Sequence, residues 1–364
     1  MKSINQLIIT LTVCLFSIQA WAQSGKLFNT DNQLSSNLAT QVFQDKSGFI
    51  WIATRNGLNT YDGYHITVMK KDMSNFSGLK SNYINSIAQD DKGHILLGTN
   101  NSLLEFTGSE FHKIPMLDSK GEELATYVKQ VYPLKNKDVA VATSGYGIMI
   151  KKKDAQECHA MKGEVEKLKY IHKLLEDKRG RLWIITEDGK LYRKETNGRV
   201  TSHFVGTEGV DAQDIQQDVL GNLYLASKNQ GVHLLRAGSN VFTRISSIGN
   251  LPIENIYISR NNKLYIGCDG LGIYVYDPQT GFLQDNPLFS RLVNLAKSKV
   301  TSIIEDNQGN IWVSMLQKGV FMQSNIQNDF NYMGFRLGSR NVIGENCVVG
   351  EADGEIALVG QDTE

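Results

Sequence analysis

The chain is predicted to be all-β: a seven-bladed β-propeller of four-stranded antiparallel blades, with the start of a further, incomplete blade at the C-terminus. Three observations point there. A pattern D-x-x-G-x-[ILV]-W/Y-[ILV]-x-T, with G-[LV] a few residues on, recurs along the sequence. Aligned on its Trp position, the copies fall at Trp51, Leu96, Ala140, Trp183, Tyr224, Tyr265, Trp312 and Ala357, in steps of about 41 to 47 residues, the period of propeller blades. Within each copy the apolar residues alternate or form short continuous runs between Asp- and Gly-containing turns, which is the signature of strands.

Taken from the N-terminus, the first element is a cationic start at Lys2, an apolar run from Leu7 to Ile18 and small residues at Ala20 and Ala22. This predicts a secretory signal peptide over 1–22, hence a periplasmic protein; the apolar run is shorter than the roughly 20 residues of a membrane span. The propeller is expected over 23–337 and the incomplete start of a second propeller, or of an eighth blade, over 338–364. In the first copy, Gln41 to Gln44, Phe49 to Thr54, Leu58 to Tyr61 and His65 to Met69 make the four strands. The turns at Asp45 to Gly48 and at Asp62-Gly63 supply Asp as a side-chain cap and Gly for positive φ. In the weak third copy Asn136 replaces the turn glycine. The large rings at the Trp position are expected to fill the wedge between blades. Lys26 to Asn29 matches Asp329 to Tyr332 in aromatic pattern and is expected to complete the last blade as a clasp, because a radial array must close or leave an open sheet edge. An eight-bladed ring is the alternative.

Composition limits the function classes. Lys plus Arg and Asp plus Glu both number 38, so the formal net charge is zero, and no long single-sign run favours nucleic acid or an anionic membrane. After signal cleavage Cys158, Cys268 and Cys347 remain, an odd number with neither disulfide-framework nor C-x-x-C spacing. Cys268 and Cys347 read as small strand residues and Cys158 as a loop thiol. The seven histidines form no H-E-x-x-H pair and read as surface or strand-end residues. The turn aspartates Asp45, Asp90, Asp177, Asp218 and Asp306 lack EF-hand spacing, and turn capping suffices to explain them. No cofactor, metal or catalytic residue is expected.

The run LSSNLATQVFQDKSGFIWIATRNGLNTYDG at Leu34 to Gly63 resembles the two-component regulator propeller repeat, and the resemblance extends from about Lys26 to the end. It implies the exported sensor region of a hybrid two-component system, in which propellers precede a membrane helix, a histidine kinase and a DNA-binding domain, and in which glycan breakdown products are recognised to control genes for their use. The sequence shows none of those later parts, so the expectation is a non-catalytic sensing segment. Its membrane contact would come only through C-terminal parts not in this chain, and homodimerisation is the expected mode of signalling.

In a four-stranded blade the loops between strands two and three share a face with the links between blades. On that face the sequence varies: Arg55-Asn56, Asn100-Asn101, Ser144 with Tyr146, Glu187-Asp188, Lys228-Asn229-Gln230, Asp269 and Gln317-Lys318. Amide, aromatic and charged groups around a pore suit an oligosaccharide, so Arg55, Asn56, Asn100, Tyr146, Glu187, Asp188, Lys228, Asn229, Asp269, Gln317 and Lys318 are the candidate ligand residues. The competing readings are a propeller-fold glycosidase or lyase, for which Glu187, Asp188 and Asp269 are the available acids, and a protein-interaction scaffold.

Overall fold

The computed structural model describes residues 23–71, 78–285, 298–327, 348–352 and 355–359. Seven antiparallel sheets follow one another along the chain. Blade 1 contains Ala39–Gln44, Ile50–Thr54, Gly57–Tyr61 and Ile66–Met69, hydrogen-bonded in sequence order. The first strands of the later blades are Ile84–Gln89, Val128–Pro133, Ile171–Glu176, Ala212–Gln217, Ile253–Ile258 and Val300–Glu305. Each of these seven strands packs beside its counterparts in the two flanking blades, and that of blade 7 returns to that of blade 1, so the inner strands form a closed ring. Gln23–Phe28 is the fourth strand of blade 7, outside Gly319–Gln327, as the clasp expectation requires. Among the described residues blade 3 alone has a fifth strand, Met116–Leu117, which pairs in parallel with Cys158–Ala160. Gly25–Met322 makes one compact unit. In the other, Val348–Ala352 pairs antiparallel with Glu355–Val359, a hairpin from the eighth copy. Asp329 to Tyr332 and Cys347 lie outside the described residues.

The same feature marks all seven inner strands: the register against the second strand skips one residue after the first pair. The bulged residues are Thr40, Asn85, Lys129, His172, Gln213, Glu254 and Thr301. A bulge re-aims a side chain and leaves backbone groups unpaired on the strand edge. Here the next residue along repairs that edge from blade to blade. Gln41 Oε1 accepts from Ile87 N (2.8 Å), Ser86 Oγ from Val131 N (3.0 Å), Gln130 Oε1 from Leu174 N (2.7 Å), Asp214 Oδ2 from Ile256 N (3.1 Å) and Ser302 Oγ from Val42 N (2.9 Å). At the two remaining positions Lys173 ion-pairs with Asp214 at 3.1 Å and Asn255 Nδ2 donates to Val300 O at 2.8 Å.

The core lies between blades. Trp51, Trp183, Tyr224 and Trp312 are buried, and Trp51 meets Phe106 of blade 2 edge-on, with ring centroids 5.7 Å apart. Trp312 stacks on Phe28 of the clasp strand and tilts against Tyr61 of blade 1. The indole is polar at one end, and that end is used. Asp45, Asp177 and Asp306 each accept Nε1–H of the Trp six residues on through Oδ2, at 2.8, 2.9 and 2.7 Å, while Oδ1 takes two backbone N–H groups of its own turn. The turn aspartate therefore caps the turn and fixes the core indole together.

Three expectations need correction. In the third copy the positive-φ position of the turn is Lys137 (φ 71°), one residue beyond Asn136; Gly48 has φ 94° at the equivalent place. Cys158 is a buried strand residue, since the extra strand of blade 3 covers it; burial pushes its thiol up to about 12, and the same holds for the buried Cys268. His233 is 2% exposed in the third strand of blade 5, so it belongs neither to the surface nor to a strand end.

Candidate functional site

The loops between second and third strands are tied to the start of the inner strands. Arg55 N donates to Leu38 O, Ser144 N to Tyr127 O, Glu187 N to Tyr170 O, Lys228 N to Asp211 O, Asp269 N to Pro252 O and Leu316 N to Lys299 O, all at 2.9–3.0 Å. One face of the ring is thus built from two concentric sets: the loop residues, and the residues leading into the inner strands. The leading position reads Leu38, Tyr83, Tyr127, Tyr170, Asp211, Pro252 and Lys299. Two residues on comes the bulge.

Three tyrosines stand at this position in consecutive blades. Tyr83 and Tyr127 meet edge to face with centroids 6.1 Å apart, and Tyr170 is 59% exposed. The Arg55 guanidinium lies 5.3 Å from the Tyr83 ring centre, and Lys129 Nζ lies 4.8 Å from that of Tyr127. Burial, with Tyr83 alongside, pushes the Tyr127 phenol above its ordinary range, so it stays protonated and donates to Asn85 Oδ1 at 2.8 Å. Lys129 also ion-pairs with Glu187 at 3.3 Å, and Glu187 accepts from Ser144 Oγ at 2.5 Å. Further round, Glu254 sits between Lys299 (2.5 Å) and Lys228 (4.0 Å). His172 occupies the bulge between these groups. Burial first, then Lys173 and Lys129, lower it to about 4, so the imidazole is neutral near pH 7.

The structure brings Arg55, Glu187 and Lys228 into this arc through their partners on the inner strands, and leaves Tyr146 44% exposed beside the Tyr170 segment, where Gly145 N donates to Lys169 O. Asp269 is exposed and bridges to Lys299 through backbone. Other predicted residues are engaged locally. Asp188 pairs with Lys190 and accepts from Thr186 Oγ1, both at 2.6 Å, which holds its carboxyl below the ordinary value, and it lines an open cavity of about 640 Å³ between blades 4 and 5. Asn229 ties down its neighbouring loop through Asp211 N and Gly209 O. Asn100 accepts from Ser81 Oγ, Asn56 N donates to Thr54 Oγ1, Gln317 is exposed at φ 73°, and Lys318 is half-buried. Sequence reasoning over the loops missed Tyr83, Tyr127, Tyr170, Lys129, His172 and Glu254. The signal was present: with the copies aligned, Y-I-N, Y-V-K and Y-I-H open three successive inner strands.

Comparison with known proteins agrees with the architecture. Residues 33–56, 78–101 and 294–317 match the two component regulator propeller repeat. No curated protein sequence matches the chain. Among solved structures, the extracellular domain of the hybrid two component system BT3049 of B. thetaiotaomicron is similar at a TM-score of 0.73 and 21% identity, over 94% of this chain and 48% of that one. That of BT4673 of the same organism is similar at 0.69 and 15%, over 84% and 43%. Streptogramin B lyase is similar at 0.64 and 12%, over 84% and 99%. At these identities the likeness is one of fold, and the chain spans about half the length of the two extracellular domains. The chain is a seven-bladed β-propeller that carries two component regulator propeller repeats.

Proposed function

We propose that this propeller is the exported ligand-sensing part of a hybrid two-component regulator, and that it reads glycan-derived oligosaccharides on the face that carries the tyrosine arc. The arc is the observation that carries the reading. Tyr83, Tyr127 and Tyr170, with Tyr146 beside them, offer ring faces to the apolar sides of sugars, and the fixed Lys129–Glu187 pair offers a donor and an acceptor to hydroxyls. Among the described residues Arg55 has no carboxylate partner, so its guanidinium is available to an acidic sugar. Such a surface is pre-formed, since the ring and its bulges fix every backbone segment that bears it.

Differential scanning fluorimetry tests this with neutral xylo- and gluco-oligosaccharides and with galacturonate oligomers. A binder raises Tm by mass action on the folded state. Tyr127→Ala should weaken the shift tenfold or more in ligand concentration, because a stacking ring is lost, whereas Asn56→Ala on the neighbouring loop should not. No shift across the panel, on protein shown to be folded, counts against the proposal. The lyase among the structural neighbours keeps an enzyme reading testable: incubation with polysaccharide that yields new reducing ends or unsaturated products would favour it over sensing.

A further inference from the structure

We propose that Asp90, His94 and Glu105, on the hairpin face of blade 2, bind a divalent transition-metal ion of the zinc class. Blade 2 lacks a donor that three other blades supply. Its Trp position is Leu96, so the indole N–H that satisfies Oδ2 of Asp45, Asp177 and Asp306 is missing. Blade 5 also lacks the indole, and there Asn222 Nδ2 donates to Asp218 Oδ2 at 2.8 Å. In blade 2 Asp90 is 4% exposed; its Oδ1 takes the N–H groups of Lys92 and His94, and among the described residues no donor reaches Oδ2 within hydrogen-bonding distance. A second buried carboxylate, Glu105, stands directly across the strands from Leu96. Two carboxylates in a poorly solvated place need a cation between them.

His94 is the third member, and its geometry is that of a ligand set. His94 Nδ1 lies 3.2 Å from Glu105 Oε1 and 3.6 Å from Asp90 Oδ2, and the three ligand atoms all lie within 4.8 Å of one another. In a tetrahedral zinc site with bonds of about 2.0–2.2 Å, donor atoms are about 3.3 Å apart. One imidazole and two carboxylates suit zinc and its neighbours better than calcium or magnesium, which take oxygen alone. His94 is partly exposed, so an ion can arrive from solvent and keep a water as fourth ligand. The ion would take the place that the indole N–H holds in blades 1, 4 and 7 and clamp the hairpin to the third strand.

The test is zinc binding to the chelator-stripped full chain, followed by calorimetry and by Tm. The expected result is one equivalent bound, a rise in Tm, and binding that weakens as pH falls, because protons compete for all three ligands. His94→Ala and Glu105→Gln should each weaken binding tenfold or more; Asp90 is left intact because its Oδ1 caps the turn. X-ray absorption of the zinc-loaded wild type gives a readout independent of any variant: one imidazole in a nitrogen and oxygen shell at about 2.0–2.1 Å is expected. Absence of binding by the wild type, binding by both variants as tight as by the wild type, or a sulfur-containing or imidazole-free shell would overturn the proposal.

Discussion

At the residue scale, single side chains hold two jobs, and this is where substitution effects should be sharpest. Asp177 is fully buried. Burial would raise its carboxyl, but Trp183 Nε1–H and the backbone and guanidinium of Arg181 outweigh that and hold it below the ordinary value. Asp177→Ala strips four donors of their acceptor, and urea denaturation should show a loss of about 3 kcal/mol or more. His172 gives a pH effect of defined sign. Its folded value, about 4, lies below the 6.5 of the unfolded chain, so its contribution to stability is complete above pH 6.5 and is lost as pH falls towards 4, by at most about 3 kcal/mol. Comparing unfolding free energies at pH 7 and pH 5, His172→Gln should flatten that fall. An unchanged slope would show that His172 does not titrate as its surroundings imply. The dual role of Asp177 was half legible in sequence: D-x-x-G announces a turn cap, but the bond to Trp183 Nε1 needs both ends of the hairpin placed in space.

At the scale of the element, the repeat made the four-stranded blade readable, and the aromatic match of Lys26 to Asn29 made the clasp readable, because strand period and turn chemistry are local. The bulge was not readable. It inserts one residue between two apolar positions, so Ala39 and Val42 sit three apart, a spacing that alternation alone does not interpret. The same residues explain why the sequence-derived site was incomplete. The loops advertise themselves by polarity and variation, whereas Tyr83 and Tyr127 lead into inner strands and Lys129 is the bulged residue of one, positions that alternation reads as strand and not as site. The latches between inner strands depend on the bulge as well. Ser302→Ala removes the acceptor of Val42 N–H across the seam where blade 7 meets blade 1, and should cost about 1–2 kcal/mol in chemical denaturation. No change in midpoint would mean that water replaces the latch without loss.

At the scale of the molecule, one ring presents two unlike faces. The hairpin face is tied around by cations: Lys46 Nζ donates to Asp90 O, Lys135 Nζ to Asp177 O, Lys178 Nζ to Val219 O, and the Arg260 guanidinium to Asp306 O. These bonds link the hairpin turns of neighbouring blades. The opposite face carries the tyrosine arc and its ion pairs at the start of the inner strands, and that arc places sensing there in our reading. The closed ring was legible from the number and spacing of the copies; which face carries the tyrosine arc became visible only when three dispersed Tyr codons fell side by side. Amide hydrogen exchange with and without the oligosaccharide that gives the largest Tm shift tests this most directly. Slowed exchange concentrated at 81–86, 126–130, 144–147 and 169–173 is the expected result. Slowing confined to the hairpin turns near Asp45, Asp90 and Asp177, or no slowing anywhere, would contradict the assignment of the binding face.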